Sequence, residues 1–427
     1  MSEWQKVNLG DCCEITSSKR IFFSEYVESG IPFYRSKEII EKGKGEEISH
    51  PLYISKEKYD EIKGKYGVPQ KGDLLLTAVG SLGIPFVVKD DSPFYFKDGN
   101  LVWLKHFQDI DSIFLYYWIK SENGYNALYN IAIGSAQKAL TIAAIKGYEI
   151  PLPPLQTQHR IANILSRYDS LIENYQKQIK LLEEAAQRLY KEWFVDLHFP
   201  GHENTKIVDG VPEGWEKKPA LDFFEMSIGR TPPRTQKQWF TKGSNGIPWV
   251  SISDMKDTMF VQETAEELTQ DACENYNIKV IPKGTILLSF KLTVGRVAFA
   301  GADVCTNEAI AHFQKEGDEW KAYTLMYLRN YNYDSLGNTS GISKAVNSTI
   351  IKNMPFVMPC TAILQEFSQR VLPFIKQTEN LQSQLRLLTE ARDRLLPKLM
   401  SGEITLEARA EKEVLLATPY KGGDEAK

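Results

Sequence analysis

One pattern constrains this chain more than any other, and it occurs twice. From Ile161 to Trp193, apolar side chains recur at steps of four and three: Ile161, Leu165, Tyr168, Ile172, Tyr175, Ile179, Leu182, Ala186, Leu189 and Trp193. The same spacing returns 206 residues on, at Phe367, Val371, Phe374, Thr378, Leu381, Leu385, Leu388, Arg392, Leu395 and Leu399. Such steps draw one stripe along an α-helix and make the seam of a coiled coil. At ~1.5 Å rise per residue each helix is roughly 50 Å long, about three times the usual length. Thr378 and Arg392 interrupt the second stripe where the first has Ile172 and Ala186, so the second helix is the more weakly specified. Pro373 stands where the first has Arg167 and is expected to kink that helix or delay its start.

The repetition reaches upstream of both helices. "WQKVNLGDCCEI" at Trp4 matches "WEKKPALDFFEM" at Trp215, and "GIPFYRSKEI" at Gly30 matches "GIPWVSISDM" at Gly246. "PQKGDLLLTAVGSLG" at Pro69 matches "IPKGTILLSFKLTVG" at Ile281. A repeated module of this size decides the fold before any single element does. The runs "DLLLTAV" and "TILLSF" behind Lys-Gly turns predict buried strands. Each Gly-Ile-Pro predicts a strand start, where proline is tolerated. "IFLYYWIKS" and "AYTLMYLRN" predict short helices. Trp103, Trp118 and Trp249 are assigned to the core, while Trp193 and Phe194 fit either core or a docking surface.

The fold class is therefore mixed α/β: two pseudo-symmetric globular modules joined by two long antiparallel coiled-coil helices. Predicted boundaries are 1–154 for the first module and 155–196 for its helix. Residues 197–214 form a surface linker rich in Gly, Pro, Asn and Asp. The second module spans 215–360, its helix 361–400, and a tail 401–427 ends in a disordered "KGGDEAK".

Composition narrows function. Hydrophobic residues are 42% and charged residues 25% of the 427, as in soluble globular proteins. No apolar run reaches the ~18 residues of a membrane span, and there is no signal sequence, so a cytoplasmic protein without a membrane partner is expected. Five cysteines without zinc or disulfide spacing suit a reducing compartment. A net charge of −4 excludes a strongly basic, nonspecific nucleic-acid binder but not a reader with local basic loops. The six histidines lack metal spacing, and there is no glycine-rich phosphate loop or Asn/Asp-Pro-Pro-aromatic methylation motif. The chain reads as noncatalytic. Two similar modules with twofold character suit duplex DNA, read as a bipartite site with an unread gap.

Taken together, these motifs resemble the specificity (S, HsdS) subunit of type I restriction-modification systems. The second half carries the likeness in "PEGWE" at Pro212, "IGRTPPR" at Ile228, "TVGRV" at Thr293, "TNEAIAHF" at Thr306 and "LLPKLMSGEI" at Leu395, closing the second helix. The first carries it in "PLPPLQTQHRIANILSRYD" at Pro151. The resemblance implies two target recognition domains, each reading one half-site. It also implies docking of two modification (methyltransferase) subunits, and a restriction (translocase-nuclease) subunit joining the assembly. This chain would bind no cofactor; S-adenosylmethionine, ATP and Mg would sit on the partner subunits. Its rivals are a specificity subunit of a related type II system and a noncatalytic coiled-coil scaffold.

Candidate DNA-contacting residues are polar and basic positions in loops around the Gly-Ile-Pro strands, because arginine can bond a guanine edge while lysine and hydroxyls hold phosphate. In the first module these are Lys19, Arg20, Tyr34, Arg35, Ser36, Lys37, Thr77 and Ser81, with Ser135, Gln137 and Lys138 further on. In the second they are Arg230, Thr231, Arg234, Ser251, Ser253, Asp254 and Lys256. Ser289, Lys291, Thr293 and Arg296 follow, then Ser340, Ser343 and Lys344.

Overall fold

In the computed structural model, residues 4–134, 138–208, 210–243, 246–336 and 346–404 are described. The chain divides into two compact units. One holds the residues through Glu173 together with those from Leu388 on, and the other is Asn174–Leu387.

The first unit contains strands β1 (Gln5–Asn8), β2 (Glu14–Thr16), β3 (Tyr26–Val27), β4 (Ile31–Tyr34) and β5 (Leu52–Ile54). They are followed by β6 (Leu74–Thr77), β7 (Pro85–Val87), β8 (Tyr95–Phe96), β9 (Leu101–Lys105) and β10 (Glu149–Leu152). One sheet has the order β2-β9-β6-β7 and is antiparallel throughout; a second has the order β3-β5-β4-β8, with β4 and β8 parallel. β1 pairs with β10, joining the two ends of the module. The run of β6 is apolar without alternation because both its faces are covered. Leu74 and Leu76 enter the core shared with the helices, while Leu75 enters a core with Phe86, Phe96 and Trp103.

The second unit opens with a small hairpin, β11 (Ile207–Val208) and β12 (Val211–Pro212). Next come β13 (Glu216–Pro219), β14 (Glu225–Ile228), β15 (Phe240–Thr241), β16 (Ile247–Val250), β17 (Phe260–Val261) and β18 (Glu266–Leu268). They are followed by β19 (Ile286–Ser289), β20 (Val297–Ala300), β21 (Cys305–Thr306), β22 (Ile310–Gln314) and β23 (Pro355–Met358). Its sheets have the orders β14-β22-β19-β20-β17 and β15-β18-β16-β21, and β13 pairs with β23. Apart from the added β17, this is the first module's topology strand for strand. Ile286 and Leu288 of β19 face one core and Leu287 another, as β6 does.

The long helices are Leu155–Tyr190 and Thr361–Met400. Asp169 lies against Arg392 at 2.8 Å, and the Trp193 and Phe367 rings are 5.7 Å apart. Residue numbers thus rise along one helix as they fall along the other, so the pair is antiparallel. The stripe faces inward: Ile161, Leu165, Ile172, Ala186, Phe367, Val371, Leu381 and Leu399 are all buried. The second helix passes through Pro373, which is exposed, without a break, so it does not start late. Thr378 is fully buried despite interrupting the stripe.

One further expectation changes, and an open one is decided. The linker after the first helix is not wholly a surface segment: Phe199 is buried, with its ring 5.1 Å from Trp215. Trp193 and Phe194 belong to the core of the second unit, packing on Phe367 and, for Phe194, on Tyr323. Trp103, Trp118 and Trp249 are buried as expected. The tail beyond 404 lies outside the described residues. Among the described residues no helix is long and apolar enough to cross a membrane.

Candidate nucleic-acid interface

In the second module, four loops separated in sequence are hydrogen-bonded into one rim. The Arg230 N–H donates to the Thr306 carbonyl at 2.9 Å, and the Trp249 indole donates to the Arg230 carbonyl at 3.3 Å. The Asn307 N–H donates to the Val250 carbonyl at 3.0 Å, and the Phe290 N–H to the Ala309 carbonyl at 2.9 Å. Arg296 Nη1 donates to the Ile252 carbonyl at 2.7 Å. The segments around 230, 251, 290–296 and 306–309 are therefore tied together by hydrogen bonds. Gly229 is required in it, because an added Cβ would collide with Thr306 Oγ1 and the Asn307 carbonyl.

The first module has an equivalent rim. The Lys19 N–H donates to the Tyr95 hydroxyl at 2.7 Å, Arg20 pairs with Asp98 at 2.9 Å, and Ser36 Oγ donates to the Asn100 carbonyl at 3.3 Å. The Ala78 N–H reaches the same carbonyl at 2.8 Å, and the Leu140 N–H donates to the Ala78 carbonyl at 2.9 Å. Lys138 Nζ lies 3.6 Å from the centroid of the Tyr129 ring.

The sequence-predicted residues sort into three groups. Lys19, Arg20, Lys37, Ser81, Arg230, Arg234, Ser253, Lys256, Lys291 and Thr293 are exposed on or beside these rims, with Ser36, Lys138 and Thr231 half-buried. Several are already engaged. Arg234 holds Glu266 at 2.7 Å and lies over the Phe240 and Trp249 rings, and Thr231 donates to Glu308. Lys37 Nζ is 3.5 Å from Glu41, and Lys256 Nζ is 3.7 Å from Asp257.

A second group is buried in the rim or hydrogen-bonded within it. Tyr34 is buried against Phe94. Arg35 is bound to the buried Glu38 carboxylate; burial opposes ionisation of Glu38, yet its hydrogen bonds from Arg35 hold it below the usual range. Asp254 accepts from the Ser251 N–H at 2.8 Å, from Ser251 Oγ at 2.6 Å and from the Ala265 N–H at 3.1 Å, so Asp254 and Ser251 are spent on the loop. Thr77 and Ser289 are fully buried at matching positions. Ser289 Oγ donates to the Thr293 carbonyl at 2.6 Å, and Thr77 Oγ1 likewise to the Ser81 carbonyl. Arg296 is tied down through Ile252. The third group, Ser135, Gln137, Ser340, Ser343 and Lys344, lies outside the described residues.

The structure also brings in residues that sequence reasoning missed. Glu308 sits among Thr231, Lys291 and Arg234; burial opposes its charge, but the Thr231 hydrogen bond and both cations hold it below the usual carboxylate range. The polar run "TNEA" between apolar strands was the available signal. Tyr125 and Tyr129 stack with centroids 6.2 Å apart, and both are exposed beside Lys138. Behind the second rim, His312 is buried with both ring nitrogens satisfied, by Ser227 Oγ at 2.8 Å and Thr306 Oγ1 at 2.7 Å. Among the described residues, no group of three or more His, Cys, Asp or Glu is placed to hold a metal ion.

The sequence model of the family described as "Type I restriction modification DNA specificity domain" matches residues 1–184 and 212–389. The chain belongs to this family. The two matched segments make it a specificity subunit with two copies of the DNA specificity domain, each carrying one rim. The type I restriction enzyme MjaIX specificity subunit of Methanocaldococcus jannaschii is 29% identical over 351 residues, 79% of this chain and 78% of that one. The type I restriction enzyme HindI specificity subunit of Haemophilus influenzae is 22% identical over 474 aligned positions, 95% of this chain and all of that one. The crystal structure of a type I restriction-modification S subunit from M. genitalium shares the fold, with a TM-score of 0.63 at 15% identity, covering 93% of this chain and 96% of that one. Duplicated DNA specificity domains do not favour the scaffold reading.

Proposed function

We propose that this specificity subunit reads a bipartite duplex site, one half through each rim, and does no chemistry itself. The observation that carries the reading is the duplication. Two modules of one topology each gather polar and basic loops into a hydrogen-bonded rim, and those loops differ in sequence between the modules. Equal scaffolds with unequal loops suit two half-sites of unequal sequence. Two methyltransferase subunits and a restriction subunit would supply catalysis, with S-adenosylmethionine, ATP and Mg bound there. The contacts proposed for DNA are the exposed Lys19, Arg20 and Ser81 with the half-buried Lys138 in one module, and the exposed Arg230, Ser253, Lys256, Lys291 and Thr293 in the other.

The test is a single-base-pair substitution scan of the duplex bound by the chain assembled with its methyltransferase partners. Two blocks of sensitive base pairs should flank an insensitive gap, with losses of about 10- to 100-fold per mismatch. One continuous block, or uniform insensitivity, would overturn the reading.

A further inference from the structure

The hairpins that follow β6 and β19 are built by the same hydrogen bonds. The Thr77 N–H donates to the Ile84 carbonyl at 3.1 Å, and the Ser289 N–H to the Arg296 carbonyl at 2.9 Å. The Gly83 N–H returns to the Thr77 carbonyl at 2.8 Å, and the Gly295 N–H to the Ser289 carbonyl at 2.9 Å. The side-chain hydroxyls of Thr77 and Ser289 then accept from the Ile84 and Arg296 N–H groups at 2.8 and 3.0 Å. The correspondence fixes Leu292 as the counterpart of Gly80. Both have left-handed backbones, Gly80 at φ +79° and Leu292 at φ +58°.

Glycine adopts that conformation freely, while a leucine there is strained. Leu292 is also 99% exposed, the most exposed large apolar side chain among the described residues. It gains nothing from folding that would offset either liability. Backbone strain kept at an exposed position is a pointer to function. Its neighbours fit a polyanion: Lys291 precedes it and Thr293 follows, both exposed. Arg296, through its bond to Ile252, fixes the hairpin to the rim.

We infer that Leu292 makes direct apolar contact with the bases of the second half-site, presented by a hairpin whose shape is already set. The inference rests on the bipartite reading above. A residue that met the same kind of protein partner in both modules would be alike in both. Leucine opposite glycine instead belongs with what differs between the modules, which is the half-site. Apolar side chains meet bases in two ways, against a thymine methyl group or as a wedge between base steps.

The experiment uses the full chain assembled with its methyltransferase partners and a duplex carrying its own site. L292G and L292A should each lose about tenfold or more in specific affinity, within the range of one base contact. Binding to an unrelated duplex should change by less than about twofold, since phosphate contacts carry it. The thermal midpoint of L292G should equal or exceed that of the parent chain, because strain is relieved; a purely structural leucine would lower it. Replacing half-site thymines with uracil should erase the difference between parent and variant if a methyl group is the partner. A rise in 2-aminopurine fluorescence at one step, lost in L292G, would identify a wedge. Specific affinity of L292G within twofold of the parent overturns the inference. A parent complex that prefers no duplex sequence overturns the bipartite reading instead.

Discussion

Asp169 of the first long helix accepts two hydrogen bonds at 2.8 Å, one from Arg392 Nη1 of the second helix and one from the Tyr117 hydroxyl of the first module. Arg392 is one of the two residues that break the apolar stripe, and here it forms a polar layer. The Asp169 and Arg392 side chains are only 19% and 20% exposed. Burial favours deprotonation of Arg392, but its bonds to Asp169 and Asp393 outweigh this and raise its pKa. The layer ties both helices to the module and penalises helix registers that would leave a charge unpaired.

Truncating this layer should therefore be costly on either side. R392A leaves Asp169 with Tyr117 alone and should lower stability by about 2 kcal/mol. D169A leaves the buried Tyr117 hydroxyl without its acceptor and Arg392 with Asp393 alone, and should cost at least as much. Urea denaturation of the full chain measures both; values within about 0.5 kcal/mol of the parent would contradict this role.

His312 gives the second module a pH dependence. Burial, with a smaller contribution from Lys279, lowers its pKa to about 4. The unfolded chain takes up this proton near pH 6.5 and the folded chain only near 4. The stability concerned is thus fully present above about pH 6.5 and is lost as pH falls to about 4, amounting to about 3 kcal/mol. Denaturation at pH 7 and pH 4.5 should show a smaller drop for H312Q than for the parent; equal drops would contradict the assignment.

Gly229 and Gly80 should respond differently to alanine. A Cβ at Gly229 collides with Thr306 Oγ1 and two carbonyl oxygens, so G229A should destabilise by about 2 kcal/mol or more. A Cβ at Gly80 meets no atom within 4 Å, so G80A carries only the backbone term, about 1 kcal/mol. Thermal unfolding of the two variants distinguishes them.

How far the sequence reached follows from what each signal depends on. The stripes and the duplicated motifs are local, so both long helices and the two-module class were legible. Strand order was not, because the pairing of β4 with the distant β8, or of β16 with β21, leaves no periodic trace. Residue type located the loops but not the direction of a side chain. Thr77 and Ser289 carry the right hydroxyls and point inward, while Leu292 carries the wrong polarity for a loop and points outward. Arg392 reads as a flaw in a seam because a stripe counts apolar residues and cannot see a partner such as Asp169. Phe199 looked like linker for the same reason: its partner, Trp215, follows the turn.

The exposed lysines of the second rim offer a test through salt. Lys291 has an aromatic neighbour, with its Nζ 5.8 Å from the Phe290 centroid, and Lys256 lies 3.7 Å from the exposed Asp257. If each neutralises a phosphate, K256Q and K291Q should each reduce the slope of log affinity against log salt by about 1. Folding stability should change by less than about 0.5 kcal/mol. Unchanged slopes would place both lysines away from DNA.

The most direct measurement is genome-wide mapping of DNA methylation in cells with the gene present, deleted, and with residues 215–360 exchanged for those of a relative. The account predicts a bipartite methylated motif that disappears on deletion and changes in one half only on exchange. No gene-dependent motif while the partner methyltransferases are active, or an exchange that alters both halves, would contradict it.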